Sequence, residues 1–208
     1  MAEIVTDNFT RADAATLGAN WTDIAGQTSE WSIVSNKAAW VQDGTYCMDI
    51  YSGAGWTGGN DQYAEMTINT KVTLSDGGPM VRASATGNGY SMIINDTDNV
   101  ALGNSMSVTI YKWVSGTPTQ LHNGTATVIS AGDVVRLAVQ GTTLTGYVNG
   151  VSKTTITDAT FSTGTPGMFG SNNGTSSGFT VSLFAAGDFS GAGGGVTRGP
   201  SFALMGVQ

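Results

Sequence analysis

Charge is scarce in this chain: only 11% of its 208 residues are charged, and the acidic ones outnumber the basic by 15 to 8. A net charge of −7 and a pI near 4.3 work against a phosphate-backbone partner, which needs a basic surface, so nucleic acid is not expected as a ligand. Few charges beside abundant Gly, Thr, Ser and Asn also argue against long solvated helices and suit short strands joined by tight turns. Cysteine occurs once, at Cys47, which excludes an intramolecular disulfide or a cysteine-based metal cluster and leaves a small buried apolar residue. Histidine also occurs once, at His122, in a turn-like Gln-Leu-His-Asn-Gly segment; no two-histidine metal site or paired-histidine catalysis follows, and it reads as a surface-loop residue. The only glutamates are Glu3, Glu30 and Glu65, far apart in sequence, whereas glycoside cleavage needs two carboxyls flanking one bond. No nucleophile elbow, phosphate loop or zinc-binding pair is present either, so no enzyme activity and no cofactor are expected. The first nine residues lack the basic and apolar regions of a secretory signal, and no later run is long enough to span a membrane. The chain is therefore expected to stay soluble in a cytosol, with no membrane partner.

What is abundant is strand pattern. In 134–140, Val135, Leu137 and Val139 alternate with Val134, Arg136, Ala138 and Gln140, the two-residue period of a strand with one buried face. Gly141-Thr142 suits a type II′ turn, and after Leu144, Gly146 and Val148 comes Asn149-Gly150, the strongest short hairpin signal because a type I′ turn needs positive φ at both central residues. Three adjacent antiparallel strands follow. Residues 63–74 alternate as cleanly, with Ala64, Met66, Ile68, Thr70, Val72 and Leu74 on one face. Asp76-Gly-Gly-Pro is expected to turn the chain into a strand from Met80, and Gly87-Asn-Gly89 into another from Tyr90. Further strands are expected over 3–9, 31–35, 37–41, 47–51 and 106–114, with Trp31, Ile33 and Trp40 in the core, and a last strand over 179–186 that places Phe179, Val181, Leu183 and Ala185 on one side. Residues 11–25 read as an irregular connection or one helical turn capped by Asp13 or Thr16.

The strand, turn and x-L-x-x-Y-V-N-G arrangement ending at Gly150 resembles the late strands of concanavalin A-like (laminin G-like) jelly-roll modules. So does the opening: Asp7, Phe9, Arg11 and Asp13, then Leu17-Gly18, Trp21, and Trp31-Ser-Ile33 are similar to the start of such modules in bacteriophage and bacterial proteins. The resemblance spans 3–186. It implies an all-β, antiparallel jelly-roll β-sandwich of the concanavalin A-like lectin/glucanase type, with the last strand pairing near the first. It also brings up the glucanase arrangement E-x-D-x-x-E, which this sequence does not contain.

With 40% hydrophobic content one sandwich domain over 1–186 is expected, followed by a Gly-rich linker at 187–199 and an apolar peptide at 200–208. Phe202, Leu204, Met205 and Val207 on that tether read either as an anchor docking on a neighbouring protein or as a tail folding back on its own sandwich. The expected function is a bacteriophage virion structural protein, a head decoration or cement protein or a tail or fibre component. Made in the host cytoplasm, it would attach to other virion proteins through this tail and form a homo-oligomer. The alternative is a carbohydrate-binding module. In the loop at 52–61, Trp56 followed by Asn60 and Asp61 is the residue set that stacks on a sugar ring and bonds its hydroxyls; the other reading folds Trp56 back onto the sandwich. Asp96-Thr-Asp98-Asn99 offers clustered oxygens for Ca²⁺ but lacks the remaining ligands of an EF-hand loop, and a polar turn is the competing reading.

Overall fold

A computed structural model describes residues 1–24, 31–40, 46–73, 75–95, 101–124, 126–172 and 178–189. The Asp96-Asn99 segment, Glu30 and the tail residues Phe202, Leu204, Met205 and Val207 lie outside them. In chain order the strands are β1 (Ala2–Asp7), β2 (Trp21–Asp23), β3 (Trp31–Val34), β4 (Lys37–Trp40), β5 (Tyr46–Tyr51) and β6 (Gln62–Lys71). There follow β7 (Ser75–Ala83), β8 (Gly89–Asn95), β9 (Ser105–Val114), β10 (Thr117–Asn123), β11 (Thr127–Val128) and β12 (Val134–Gln140). The chain closes with β13 (Thr143–Val148), β14 (Val151–Thr157), β15 (Thr165–Asn172) and β16 (Phe179–Asp188). No helix occurs among the described residues.

Two antiparallel sheets face each other. One runs β14-β13-β12-β6-β16-β4-β3 with β1 beside β16; the other runs β10-β9-β8-β7-β15-β5-β2 with β11 beside β9. The pattern that predicts β12 to β14 is the pattern observed: Val135, Leu137, Val139, Leu144 and Val148 are buried, and Asn149 and Gly150 both have positive φ, as a type I′ turn requires. The β3–β4 turn repeats this device at Ser35 and Asn36, with φ of 50° and 59°. Trp31, Ile33 and Trp40 are core residues, and β16 pairs with β1, as the resemblance implied. Between the sheets lies a large apolar cluster that includes Phe9, Trp21, Met66, Tyr90 and Phe184. The second sheet is apolar on its other face too, where Met48, Met80, Ile93, Trp113 and Phe169 form a separate cluster.

Several expectations change. Asp76-Gly-Gly-Pro does not turn; it lies inside β7, paired with β15, because Gly77 lets the Phe179 ring sit where a Cβ would come within 2.6 Å of it. His122 lies in strand β10 opposite Ile110 rather than in a loop. In β16 a register shift between Val181 and Leu183 reverses the alternation, so Phe184 is fully buried while Leu183 is 36% exposed. The strand also runs two residues past Ala186, and Phe189 packs edge-on against Tyr63.

Candidate functional site

The loop between β5 and β6 carries the three residues singled out for sugar contact. Trp56 is half-buried and packs against the main apolar cluster. Its six-membered ring lies on Gly58, where a Cβ would come within 2.4 Å of Cη2, so the indole is turned back onto its own loop and the sandwich. Asn60 is exposed, and its main-chain carbonyl accepts a 2.9 Å bond from Arg82 Nε. The Asn60 amide itself has no intramolecular hydrogen bond among the described residues. Asp61 Oδ1 accepts from the Gly141 N–H at 2.7 Å and faces Arg82 Nη2 at 3.4 Å, with 48% of the side chain exposed. Asn60 and Asp61 thus sit together beside the β12–β13 turn, and Trp56 approaches from the same loop with its ring already packed.

This loop is held from beneath by residues that sequence reasoning missed. Arg82 is 3% exposed, and its guanidinium reaches Asn60 O, Asp61 Oδ1 and Phe161 O, the last at 2.9 Å. Burial pushes the guanidinium pKa down, and the Asp61 carboxylate opposes that shift. The Arg82 main chain is left-handed, with φ of 48° inside a strand, a conformation that costs a non-glycine residue about 1–3 kcal/mol. Gly164 explains why the surroundings enforce it: a Cβ there would lie 2.3 Å from Arg82 C, so only glycine permits the approach. Gln62, fully buried, accepts from the Arg82 N–H and donates to Gly59 O and Gly164 O. Asp188 Oδ2 accepts from the Gly59 N–H. A charged residue in the apolar run Met80-Val81-Arg82-Ala83 was the available signal for Arg82; Gln62 offered none.

A second polar knot adjoins the first through Phe161. Tyr90 Oη donates to Asp158 Oδ1 at 2.7 Å and accepts from the Phe161 N–H, while Lys112 Nζ donates to Asp158 Oδ2 at 3.0 Å. Burial raises the Asp158 carboxyl, but hydrogen bonds from Thr160, Tyr90 and Lys112 outweigh it and hold the group well below the usual carboxylate range. Burial, and then the bond to Asp158, push the Tyr90 hydroxyl up to about 12.

The N-terminal motif is structural. Asp7 accepts from the Phe9 N–H, from both terminal nitrogens of Arg11 and from Trp21 Nε1, and Arg11 also donates to Leu17 O. Burial raises the Asp7 carboxyl and these bonds overcome it, leaving it below its ordinary value. Asp13 caps no helix; its Oδ1 accepts from the Ser35 N–H. Beside this staple lies a cleft of about 330 Å³ lined by Thr16, Trp21, Thr22, Asp23 and Asp49, the last two being register partners in the β2–β5 pairing. Glu65 is ion-paired with Arg136 at 2.6 Å, and the Cys47 thiol is buried and donates to Asp49 Oδ1 at 3.8 Å.

No family model matches the sequence, and no curated protein matches it. Among solved structures the chain is similar to the carbohydrate binding module CBM66 from Bacillus subtilis (TM-score 0.59, 17% identity, 79% of this chain and 95% of that one). It is likewise similar to the metal-free Emp46p carbohydrate recognition domain (TM-score 0.60, 11% identity, 89% and 95%). A third likeness is to the apo Crh5 transglycosylase (TM-score 0.53, 11% identity, 89% and 84%). Identities this low carry the fold alone, and one fold here hosts both binding modules and an enzyme. The fold is an antiparallel jelly-roll β-sandwich of the concanavalin A-like lectin/glucanase type.

Proposed function

We propose that this chain is a non-catalytic carbohydrate-binding module whose contact rim is formed by Asn60 and Asp61 beside the Gly141 turn, with Trp56 as the adjoining apolar surface. The observation that carries the reading is the Asn60 amide: exposed and without a hydrogen bond among the described residues, on a loop whose main chain is braced at Gly59, Asn60 and Asp61. An amide on a braced main chain, beside a half-exposed carboxylate, offers both donors and acceptors to sugar hydroxyls, and the loop itself needs little ordering on binding. Proteins of similar fold, a carbohydrate binding module and a carbohydrate recognition domain, support the same class. The carboxylates near the rim do not suit glycoside cleavage: Asp61 is open to solvent, but Asp188 is buried and bonded to Gly59, so they do not flank a shared exposed bond.

Retention of the full chain on a panel of immobilised neutral polysaccharides tests the reading. Asn60→Ala is expected to weaken retention roughly tenfold, the worth of about one or two neutral hydrogen bonds, with Tm unchanged. Retention that survives both Asn60→Ala and Trp56→Ala would place the contact elsewhere. Virion attachment through Phe202, Leu204, Met205 and Val207, with assembly as a homo-oligomer, is a separate proposal resting on the sequence. Loading onto phage shells by the full chain, but not by a chain ending at Phe189, is its expected result.

A further inference from the structure

We infer that the rim selects neutral glycans and rejects acidic ones, with Asp61 as the excluding charge and Arg82 as the residue that positions it; this rests on the carbohydrate-binding reading above. Asp61 is fixed at Oδ1 by the Gly141 N–H and by Arg82, which leaves Oδ2 without a hydrogen bond among the described residues and about half of the side chain in solvent. A sugar hydroxyl donates to such an oxygen, whereas a uronate or sialate carboxylate has no proton to give and meets a like charge instead.

A rim built to accept acidic sugars would present a cation, and this one hides its cation. Arg82 is 3% exposed, and all three guanidinium nitrogens already face Asn60 O, Phe161 O and Asp61 Oδ1. Lys112, packed against the neighbouring loop, is held by Asp158 Oδ2 and Thr160 Oγ1, both at 3.0 Å. The converging segments 59–61, 140–142 and 158–164 contain no lysine or arginine, and the chain as a whole carries a net charge of −7. The arrangement therefore combines a hydrogen-bond acceptor for hydroxyls with a repulsive element against anions, the two parts that discrimination requires.

Isothermal titration of the full chain with a soluble glucan, a mannan and a galactan, each also in its C6-carboxylated form, tests this. Carboxylation keeps the linkage and adds charge. For whichever polymer binds, the carboxylated form is expected to bind roughly tenfold more weakly at low salt. Raising the salt should narrow the gap, and Asp61→Asn, which keeps the acceptor for Gly141, should close it to within about threefold. Equal affinities, or a gap that neither salt nor Asp61→Asn changes, would overturn the inference while leaving carbohydrate binding intact. Failure of every neutral polymer to bind would remove the carbohydrate-binding reading and this inference together. If Asp61→Asn costs all binding, the salt series on the unaltered chain decides.

Discussion

Arg82 shows how one side chain can organise loops that are distant in sequence. Its three guanidinium nitrogens join the β5–β6 loop to the segment after β14, and its left-handed main chain is made tolerable by the absence of a side chain at Gly164. Arg82→Met keeps the aliphatic stem but leaves the Asn60 and Phe161 carbonyls without this donor and the Asp61 carboxylate with only the Gly141 N–H. Urea denaturation is expected to show a loss of about 2–4 kcal/mol. A loss below about 0.5 kcal/mol, the range of an ordinary surface substitution, would mean that solvent satisfies those groups and the loop is not braced as described. Asn60, one residue from Asp61, shows the opposite design: its carbonyl is committed to the fold and its amide is left for something else.

At the scale of the strand, β16 separates what alternation can say from what register decides. An uninterrupted two-residue period places Leu183 in the core beside Phe179 and Val181, but the shift after Val181 hands that place to Phe184. Phe184→Ala is therefore expected to cost about 3–5 kcal/mol, and Leu183→Ala about 1 kcal/mol or less, by chemical denaturation. The reverse order would restore the simple alternation. The β12 to β14 meander was legible because local turn chemistry sets the β12–β13 register at Gly141-Thr142 and starts the β13–β14 pairing at Asn149-Gly150, although a shift between Gly146 and Tyr147 then interrupts the second. Asp76-Gly-Gly-Pro misleads for the complementary reason: its composition is that of a turn, yet the Phe179 ring, more than a hundred residues on, takes the space beside Gly77 and the segment stays extended between β15 and β8. Trp56, Asn60 and Asp61 were legible as a candidate set, but Gln62, Arg82 and Gly164, which hold their loop, are joined to it only by the fold.

For the whole molecule, the Asp7 cluster and the Tyr90–Asp158 knot predict a stability profile that falls at both ends of the pH scale. Asp7 and Asp158 are held below their ordinary carboxyl value of 3.8, so the fold gains from their ionised forms. That gain is complete above about pH 5 and is lost as the pH falls through 3.8 toward the lower folded values. Tyr90, pushed up to about 12, acts in the other sense. Its neutral hydroxyl contributes fully below about pH 10, and the contribution is lost as the pH rises toward its folded value. Tm measured across pH is expected to be level between about 5 and 9, with Asp158→Asn flattening the acid limb and Tyr90→Phe the alkaline one. An alkaline limb identical in Tyr90→Phe would assign that fall to other groups. By itself the sequence determined that this protein is built of short antiparallel strands with tight turns and a scarce, mainly acidic charge, because side-chain period, turn chemistry and composition are local or additive properties. Only the tertiary structure decided which acidic group stays open to solvent and which polar groups are consumed in holding loops. Those depend on contacts such as Gln62 with Gly164 and Arg82 with Phe161, and no local pattern records which distant segments the two sheets bring together.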